Sequence, residues 1–423
     1  MNESSIIQIK KGIWIYFYLL IFEGALRKWV LPGLAEPLLI IRDPLAIWLL
    51  FKGLQANIWK PNGFVHLMWG ITILSFILTM FIGHGNILVA IYGMRIAIIH
   101  FPLIFLIGIV MNKEDVLKMG KTVLWLSLGM TLLVALQFFS PQSAWVNRAV
   151  GGEGGSGFGE VSGFYRVPGT FSFTNGLSLF YGLSAAYVFY FWLKERQNQV
   201  SQVLLILATV ALLAAIPLTI SRTVLFETIL SLIFLLAISG KNLFVIKRFV
   251  GLVFAGLTFL VVLNKFNFFQ TAIRIFTERF TTANEVEGGL QGTVIDRFLG
   301  GMYGAVIDPE NSYWGLGLGL GSKVASRLLT GGTSAYLLPE GEWGRIIGEM
   351  GFILGISVII LRIALVFDLF KKAWLSITLN NALPWLLLSF GTIIILQGQW
   401  SQPTALGFSV LTGGIIIAAF NTE

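Results

Sequence analysis

The sequence contains no cysteine and only three histidines, His66, His84 and His100. The absence of cysteine excludes disulfide bonds, thiolate metal sites and cysteine nucleophiles. Three scattered histidines are too few for a histidine-built metal site. No complete Walker A motif is present, because "GLGLGLGSK" has glycines and a Ser-Lys pair at the wrong spacing. Close packing of a turn explains these glycines better than a phosphate cradle, and we expect no cofactor.

Charged residues are also scarce, at 12% of the chain, whereas an ordinary soluble domain carries roughly 25%. Hydrophobic residues make up 56% and aromatic residues 14%. This composition indicates a polytopic membrane protein. Lys10 and Lys11 precede the first apolar run, and no small-residue cleavage site follows it. We therefore expect a retained first helix rather than a signal peptide.

The apolar runs predict an all-α fold of about twelve transmembrane helices, since a helix needs ~20 apolar residues to cross a bilayer. Most loop lysines and arginines, such as Lys113 and Lys371, fall on the side of the N-terminus. This bias predicts cytoplasmic termini, and it explains the net charge of +8 without a nucleic-acid partner. The predicted spans are 12–26, 35–51, 63–83, 86–111, 122–140, 170–193, 201–220, 223–239, 246–264, 346–369, 382–398 and 403–420.

The spans divide the chain into three parts. Residues 1–264 hold helices one to nine and a glycine-rich, flexible outer loop at 141–169, and residues 346–423 hold the last three helices. Between them, residues 265–345 form one large external loop. Within that loop, "FFQTAIRIFTERFTTA" has helical spacing, and a short helix, a turn at Asp308-Pro309, a glycine-rich turn and a second short helix follow.

Several charges lie at membrane depth, where ionisable residues usually face a partner or a cavity. Glu23 and Arg27 have the i,i+4 spacing of a helical ion pair, and structural pairing is the simpler explanation for them. The same explanation applies to Arg42 and Asp43, and Pro44 favours a local break in their helix. Arg95 and His100 lie in the fourth span, where His100 is more typical of a packed histidine than of a base. Glu227 lies one turn inside from Arg222.

Four arginines, Arg166, Arg222, Arg297 and Arg345, fall on the outer side of this topology. Arg222 alone is also consistent with a side chain that extends from a helix end to the interface. Four arginines around one cavity would instead form an anion site, because the planar guanidinium binds phosphate through two hydrogen bonds. The pyrophosphate of a lipid carrier is a suitable ligand.

Four motifs in order resemble the superfamily of O-antigen ligases and O-antigen polymerases: "RVPGTFSFTNGLSLF", "SRTVLFE", "DRFLGGMYGAVIDPENSYWGLGLGLG" and "EGEWGRIIGEMGFILG". The similarity covers about residues 165–360. It implies a metal-independent glycosyltransferase of GT-C type in the bacterial inner membrane, with its donor, an undecaprenyl-pyrophosphate-linked glycan, on the periplasmic face. The resemblance also implies that Arg222 and Arg297 bind the donor pyrophosphate. Arg166 matches the arginine ahead of Gly-Thr-Phe in the family and is a candidate for substrate binding.

Ligases of this superfamily usually carry a histidine eleven residues before the glycine that corresponds to Gly351. This sequence has Glu340 there and no histidine within 265–345. Glu340, or the neighbouring Glu342, is a candidate base, and electrostatic stabilisation of the leaving group by arginines is the alternative. The absent histidine favours a polymerase of O-antigen or exopolysaccharide over a ligase. Arg27 is a further candidate, for contact with anionic lipid at the outer headgroups.

The predicted function is therefore polymerisation of lipid-linked repeat units, with membrane lipids and chain-length regulators or other polysaccharide assembly proteins as further partners. A ligase that transfers the glycan to lipid A-core or another acceptor is the close alternative. A flippase or transporter is the second alternative, with Arg42, Asp43 and Arg95 lining a translocation path. A non-enzymatic scaffold in an export complex is the third.

Overall fold

The computed structural model describes residues 3–193, 200–239, 251, 258, 265–287, 300–308, 312–331, 338 and 341–421, and this part of the chain is mostly helical. One short antiparallel hairpin joins strand β1, Phe158–Val161, to strand β2, Phe164–Arg166. The α-helices are, in chain order, α1 Glu3–Ala25, α2 Arg42–Gln55, α3 Gly63–Phe81, α4 Ile87–Arg95, α5 Phe101–Val110, α6 Lys113–Phe139, α7 Thr174–Leu193, α8 Gln202–Leu218, α9 Arg222–Ser239, α10 Asn267–Glu287, α11 Gly301–Ile307, α12 Lys323–Thr330, α13 Glu342–Thr378, α14 Leu383–Gln397 and α15 Pro403–Ala418.

Within the described residues, six helical segments are long and apolar enough to cross a membrane, and three shorter helices are also apolar. They are compatible with a multi-pass membrane protein. The predicted span at 246–264 lies largely outside the described residues. The predicted span at 35–51 falls only partly on an α-helix, and the other predicted spans fall on helices. The six segments are Glu3–Val30, Gly63–Phe81, Ile87–Val110, Lys113–Phe139, Thr174–Leu193 and Glu342–Thr378.

Short polar side chains fix where several helices begin. The Asn62 side chain accepts a hydrogen bond from the backbone of α3, and Asn86 does the same for α4. Asn112 and Asp115 form a reciprocal capping box at the start of α6. This cap begins α6 at Lys113, so the helix is longer than the predicted span of 122–140. The Ser201 side chain caps α8 by accepting a hydrogen bond from the Leu204 amide.

The bundle has two distinguishable ends. At one end, Lys10 Nζ lies 2.5 Å from Asp115 Oδ2, and the Lys113 amide donates to the Asn421 carbonyl at 3.0 Å. The loops 26–41, 141–169 and 312–331 gather at the opposite end, which we call the loop end. Helix α7 runs between these ends and is buried over nearly all of its length, against α6, α8, α9, α14 and α15.

The predicted span at 35–51 is not one helix. Two 3₁₀ turns, Pro32–Leu34 and Pro37–Ile40, precede α2, which begins at Arg42. Proline lacks a backbone N–H and restricts the residue before it, so an α-helix cannot pass through this segment undisturbed. The break predicted from Pro44 is therefore wrong, since α2 runs from Arg42 through Pro44, and the irregular segment lies ahead of Arg42 instead.

Helix α1 and the α4–α5 connection each contain a π-helical turn. The first, Leu26–Val30, continues α1 and carries Arg27 and Lys28. The second, Ile96–His100, joins α4 to α5. Such turns add one residue to the helical repeat, so they rotate the side chains that follow them relative to a regular helix. They turn Arg27, Lys28 and His100 into the interior of the bundle, where all three are buried.

Helix α13 is broken near its start. Gly351 has φ 80° and ψ 167°, and a side chain there would overlap the backbone of residues 313–315. Gly315 faces it with φ 77°. These two positions therefore require glycine, since a left-handed φ and a close backbone approach coincide there. The predicted helix at 346–369 begins earlier, at Glu342, and contains this break.

The glycine-rich turn 312–321 packs against the break in α13. The Leu316 amide donates to the Gly348 carbonyl at 2.8 Å, and the Gly317 amide donates to the Glu349 carbonyl at 3.0 Å. On its other side, the turn packs on α3, where the Thr79 hydroxyl accepts from the Leu318 amide at 3.0 Å, and Gly319 lies against Val89 and Gly93 of α4. These amides bind protein oxygen atoms, which agrees with a packing role for the motif.

The outer loop 141–169 is more ordered than its glycine content predicts. It contains the β1–β2 hairpin and an isolated bridge between Arg148 and Gly155. The buried Asn147 side chain donates to the carbonyls of Gln137, Ser140 and Pro141 at 2.9–3.1 Å. Hydrogen bonds from one asparagine therefore hold the start of the loop against the end of α6.

Gly93→Ala tests the docking of the glycine-rich turn. An added Cβ at Gly93 would overlap the backbone of Gly319, which has nowhere to move between α4 and α13. We expect the free energy of unfolding in detergent to fall by about 1–3 kcal/mol. Gly70→Ala in α3 is the control, because no atom lies within 4 Å of its added Cβ. The control should gain roughly 0.5–1 kcal/mol, and equal effects of both changes would contradict the packing described.

Candidate functional site

Three arginines from separate elements act on one another at the loop end. Arg166 ends strand β2, Arg222 begins α9, and Arg279 lies on α10. Burial, together with the positive charges of Arg279 and Arg222, lowers the pKa of Arg166 from 12.5 to about 10. We call these three residues the arginine cluster. Two of them, Arg166 and Arg222, are predicted by the sequence, and the structure brings them together.

The amphipathic helix α10 closes over the cluster. It packs on α8 and on strand β1, and Phe280 meets Phe226 of α9 edge to face at 6.4 Å. The Ser162 hydroxyl in the hairpin turn donates to Glu278 of α10 at 2.6 Å. The helix predicted for "FFQTAIRIFTERFTTA" is thus present, and its contacts hold the hairpin and the start of α9 beside it.

A second contact fixes the start of α9. The Ser221 hydroxyl lies 2.8 Å from the Ser178 hydroxyl of α7, and both residues are buried. This hydrogen bond ties the residue before Arg222 to α7, a helix that is buried over nearly all of its length. The cluster therefore combines one arginine on a helix start, one on a hairpin and one on a covering helix.

The cluster is chemically suited to an anion. The Arg166 Nε is buried and has no hydrogen-bond partner among the described residues. A buried donor without an acceptor costs about 1–3 kcal/mol, and repulsion from two further guanidinium groups adds to that cost. A phosphate or pyrophosphate group would accept from Arg166 and reduce the repulsion at the same time. The arrangement can thus bind a phosphate-containing ligand and stabilise negative charge on it.

Sequence reasoning missed Arg279, although a signal for it exists. Ala272 and Ile275 are fully buried, and Arg279 follows Ile275 by four residues. It therefore lies on the same side of α10 as these buried residues, where it is partly exposed and a charge is unusual. Arg274, by contrast, lies on the exposed side of the helix, with Glu278 one turn away.

Glu342 and Arg345 belong to a different, buried network. Arg345 lies 2.8 Å from Glu342 Oε1 and 2.7 Å from Glu349 Oε2, and Arg362 lies 2.8 Å from Glu342 Oε1. The second Glu342 oxygen accepts from Arg345 Nε at 2.9 Å and from the Trp400 amide at 3.2 Å. Both oxygens of Glu342 are thus occupied. Arg345 forms ion pairs with carboxylates of its own helix and does not belong to the arginine cluster.

A small cavity of about 30 Å³ adjoins this network. Arg345, Glu349 and Arg362 line it together with Thr72 and apolar side chains. The Arg362 guanidinium stacks on the ring of Trp400 at 3.6 Å, while its Nε and Nη1 have no partner among the described residues. A cavity of this size holds one or two water molecules, which would hydrate Arg362.

The remaining intramembrane charges form two adjoining groups. Arg27 Nη1 lies 3.1 Å from Glu23, as predicted, and Arg42 Nε lies 3.5 Å from the other Glu23 oxygen. Asp43 instead pairs with Arg95 at 2.8 Å and His100 at 2.9 Å. The expected pairing of Arg42 with Asp43 is therefore wrong, because adjacent residues on a helix point in different directions.

Arg27 does not face outer lipid, although the sequence predicted it at the headgroup level. It is 8% exposed and donates to the Ala35 carbonyl at 2.6 Å and to Ser172 at 3.0 Å. The neighbouring Lys28 is fully buried and donates to the Gly169 carbonyl at 2.5 Å. Both side chains therefore tie the end of α1 to the end of the outer loop.

Two predicted site residues, Arg297 and Glu340, lie outside the described residues. Among the residues that are described, no group of three or more histidine, aspartate or glutamate side chains is arranged to hold a metal ion. Comparisons of the chain with protein-family models, with curated proteins and with solved structures found no match.

Arg345→Met tests the buried ion-pair network. The change leaves Glu342 and Glu349 with too little positive charge in the bundle interior, so we expect the free energy of unfolding to fall by about 3–5 kcal/mol. Arg327→Met is the matched control, since Arg327 forms an exposed pair with Glu36, and it should cost less than about 1 kcal/mol. Chemical denaturation in detergent measures both, and equal losses would contradict the burial described.

Arg166→Gln should stabilise the protein, whereas Arg345→Met destabilises it. The change removes a buried, mutually repelled charge, so we expect the free energy of unfolding at pH 7 to rise by about 1–3 kcal/mol. We also expect the stabilisation by added inorganic pyrophosphate to decrease. Arg148→Gln, on an exposed arginine of the same loop, should change neither quantity.

The pH dependence of this difference follows from the pKa of Arg166. Its folded value of about 10 lies below its ordinary 12.5, so the charged side chain destabilises the fold fully below pH 10. This penalty is relieved as the pH rises through about 10, where the folded protein loses the proton first. The advantage of Arg166→Gln over the wild type should therefore shrink above pH 10, and an advantage that grew there would refute the assignment.

Proposed function

We propose that the protein is a metal-independent glycosyltransferase that polymerises undecaprenyl-pyrophosphate-linked repeat units at the periplasmic face of the bacterial inner membrane, with about twelve membrane crossings and a GT-C-like fold. The observation that carries the proposal is the arginine cluster of Arg166, Arg222 and Arg279 at the loop end. It is a partly desolvated set of cations at the end of the bundle opposite to Lys10, Lys113 and Asn421. We infer that this end faces the periplasm, where a lipid-linked pyrophosphate would lie at the membrane surface.

In the proposed reaction, an acceptor hydroxyl of an incoming lipid-linked repeat unit attacks the anomeric carbon of the growing glycan. The bond from this carbon to the pyrophosphate oxygen breaks, and a new glycosidic bond forms. The leaving undecaprenyl pyrophosphate takes the bonding electrons, and the acceptor hydroxyl loses its proton. The protein's main contribution is then electrostatic, because guanidinium groups in a site that excludes water stabilise the charge that develops on the leaving group.

Arg222 and Arg166 are the proposed pyrophosphate ligands. We propose Arg279 as a third ligand, because its charge acts on Arg166 in the arginine cluster. Arg297 keeps its proposed role as a ligand of the donor pyrophosphate. Glu340 remains the candidate base for the acceptor proton. Glu342 is no longer proposed as the base, because Arg345, Arg362 and the Trp400 amide occupy its oxygens. We assign Glu342 and Arg345 to holding the start of α13 rather than to contact with the substrate.

The pairing of the intramembrane charges supports a transferase over a transporter. Arg95 pairs with Asp43, and Arg42 pairs with Glu23 and donates to the Pro403 carbonyl. These buried contacts join α1, α2, α4 and α15, and breaking any of them would leave an unpaired charge in the bundle. A translocation path along these residues would need such contacts to open and close in each cycle.

The test is an assay of purified protein in liposomes with lipid-linked repeat units and a chelator. We expect longer carrier-linked chains in the wild type, and a loss of about 100-fold or more in kcat for Arg222→Ala and for Arg279→Ala. Arg274→Ala is the matched control on the same helix, because Arg274 lies on the exposed side. Glycan transferred to a different acceptor would identify a ligase, and full activity of Arg222→Ala would refute the proposed site.

A further inference from the structure

Glu227 is a buried acid that the proposed reaction does not use. It lies on α9, five residues after Arg222, and it is 3% exposed. Its Oε2 has no hydrogen-bond partner, and no cation lies within ion-pair distance of it, in the part of the chain that the structure describes. The other buried acids, Glu23, Glu342 and Glu349, all have arginine partners.

The carboxyl group packs directly against the backbone of α7. A Cβ at Gly182 would overlap Glu227 Oε2, and the ring of Phe390 from α14 lies on the same spot. Gly182 therefore leaves room for the Glu227 side chain between α7 and α14. The carboxyl group fits this space, yet no cation of the described residues pairs with it there.

The polar groups nearest along these helices are already engaged with one another. Toward the loop end, Ser221 and Ser178 share a hydrogen bond at 2.8 Å. One turn deeper on α9, Ser231 shares a hydrogen bond with Ser389 of α14, also at 2.8 Å. The titratable Tyr181 of α7 bonds to Thr131 of α6 instead.

The charge state of Glu227 follows from these surroundings. An ionised carboxylate without a partner in an apolar interior is so costly that the group binds a proton instead. Arg222 does not remove this cost, because residues five apart on a helix point about 140° away from each other at 100° per residue. A neutral carboxylic acid, by contrast, fits a buried site that has no cation.

We propose that Glu227 is a proton-binding site, in which the bound proton keeps the carboxylic acid neutral at neutral pH, so that it adds no negative charge near the arginine cluster. An ionised Glu227 one turn below Arg222 would attract the arginines and compete with an incoming anion. The bound proton removes this competitor. The protonation of Glu227 does not depend on the proposed polymerase activity. Only its effect on anion binding rests on the proposed function, because that effect acts on the arginine cluster.

Infrared spectroscopy of the purified wild type and of Glu227→Gln tests the protonation directly. We expect the wild type to show the carbonyl stretch of a protonated carboxylic acid at pH 7, and the variant to lose it. Glu36→Gln is the control, because the exposed Glu36 carboxylate pairs with Arg327 and should contribute no such band. Identical spectra of wild type and Glu227→Gln would overturn the proposal, whatever the enzyme assay shows.

Calorimetric titration with inorganic pyrophosphate tests the electrostatic consequence. If Glu227 is neutral, Glu227→Gln should bind pyrophosphate within twofold of the wild type. If Glu227 is ionised, removing its charge should tighten binding roughly 15- to 35-fold, given two unit charges about 8–10 Å apart at an effective dielectric near 20. A gain of that size would overturn the proposal. If wild type and variant both fail to bind pyrophosphate, the proposed function is contradicted. The infrared bands then test the protonation of Glu227 by themselves.

Discussion

The carboxylate and carbonyl of Glu349 connect the parts of the loop end that the chain supplies from distant positions. One carboxylate oxygen accepts from Arg345 at 2.7 Å, and the other accepts from the Gly321 amide at 2.9 Å. Its backbone carbonyl accepts from the Gly317 amide at 3.0 Å. A single residue thus joins the buried ion pairs, the glycine-rich turn and the break in α13. The break itself frees this carbonyl, because a regular helix would use it within α13.

The structure distinguishes two kinds of buried arginine. Arg345, Arg95 and Arg27 each have carboxylate partners, so their charges are compensated within the protein. Arg166 is instead desolvated beside two more arginines, and its lowered pKa records that cost. Compensated charges stabilise a bundle, whereas an uncompensated group stores free energy that an anion can release. This contrast, rather than the number of arginines, identifies the candidate site.

Much of the helical framework could be predicted from the sequence, because long apolar runs leave few alternatives in a membrane. Prediction failed at 35–51, where prolines replace a span by 3₁₀ turns, and at Gly351, where a contact with Gly315 far along the chain breaks the helix. The meeting of Arg166 and Arg222 followed from topology. Arg279 did not, since its role depends on how α10 packs. The pairing of Glu342 with Arg345 was not predicted, although their i,i+3 spacing allows it, and neither was that of Glu342 with Arg362, which lies seventeen residues after Arg345.

The docking of the glycine-rich turn also has a consequence for biosynthesis. The turn packs between α3 and α4, which are made early, and the start of α13, which leaves the ribosome after the turn itself. Three of its amides, those of Leu316, Gly317 and Gly321, therefore lack their acceptors until the start of α13 has been made. We expect the turn to complete its hydrogen bonds only after α13 has been inserted.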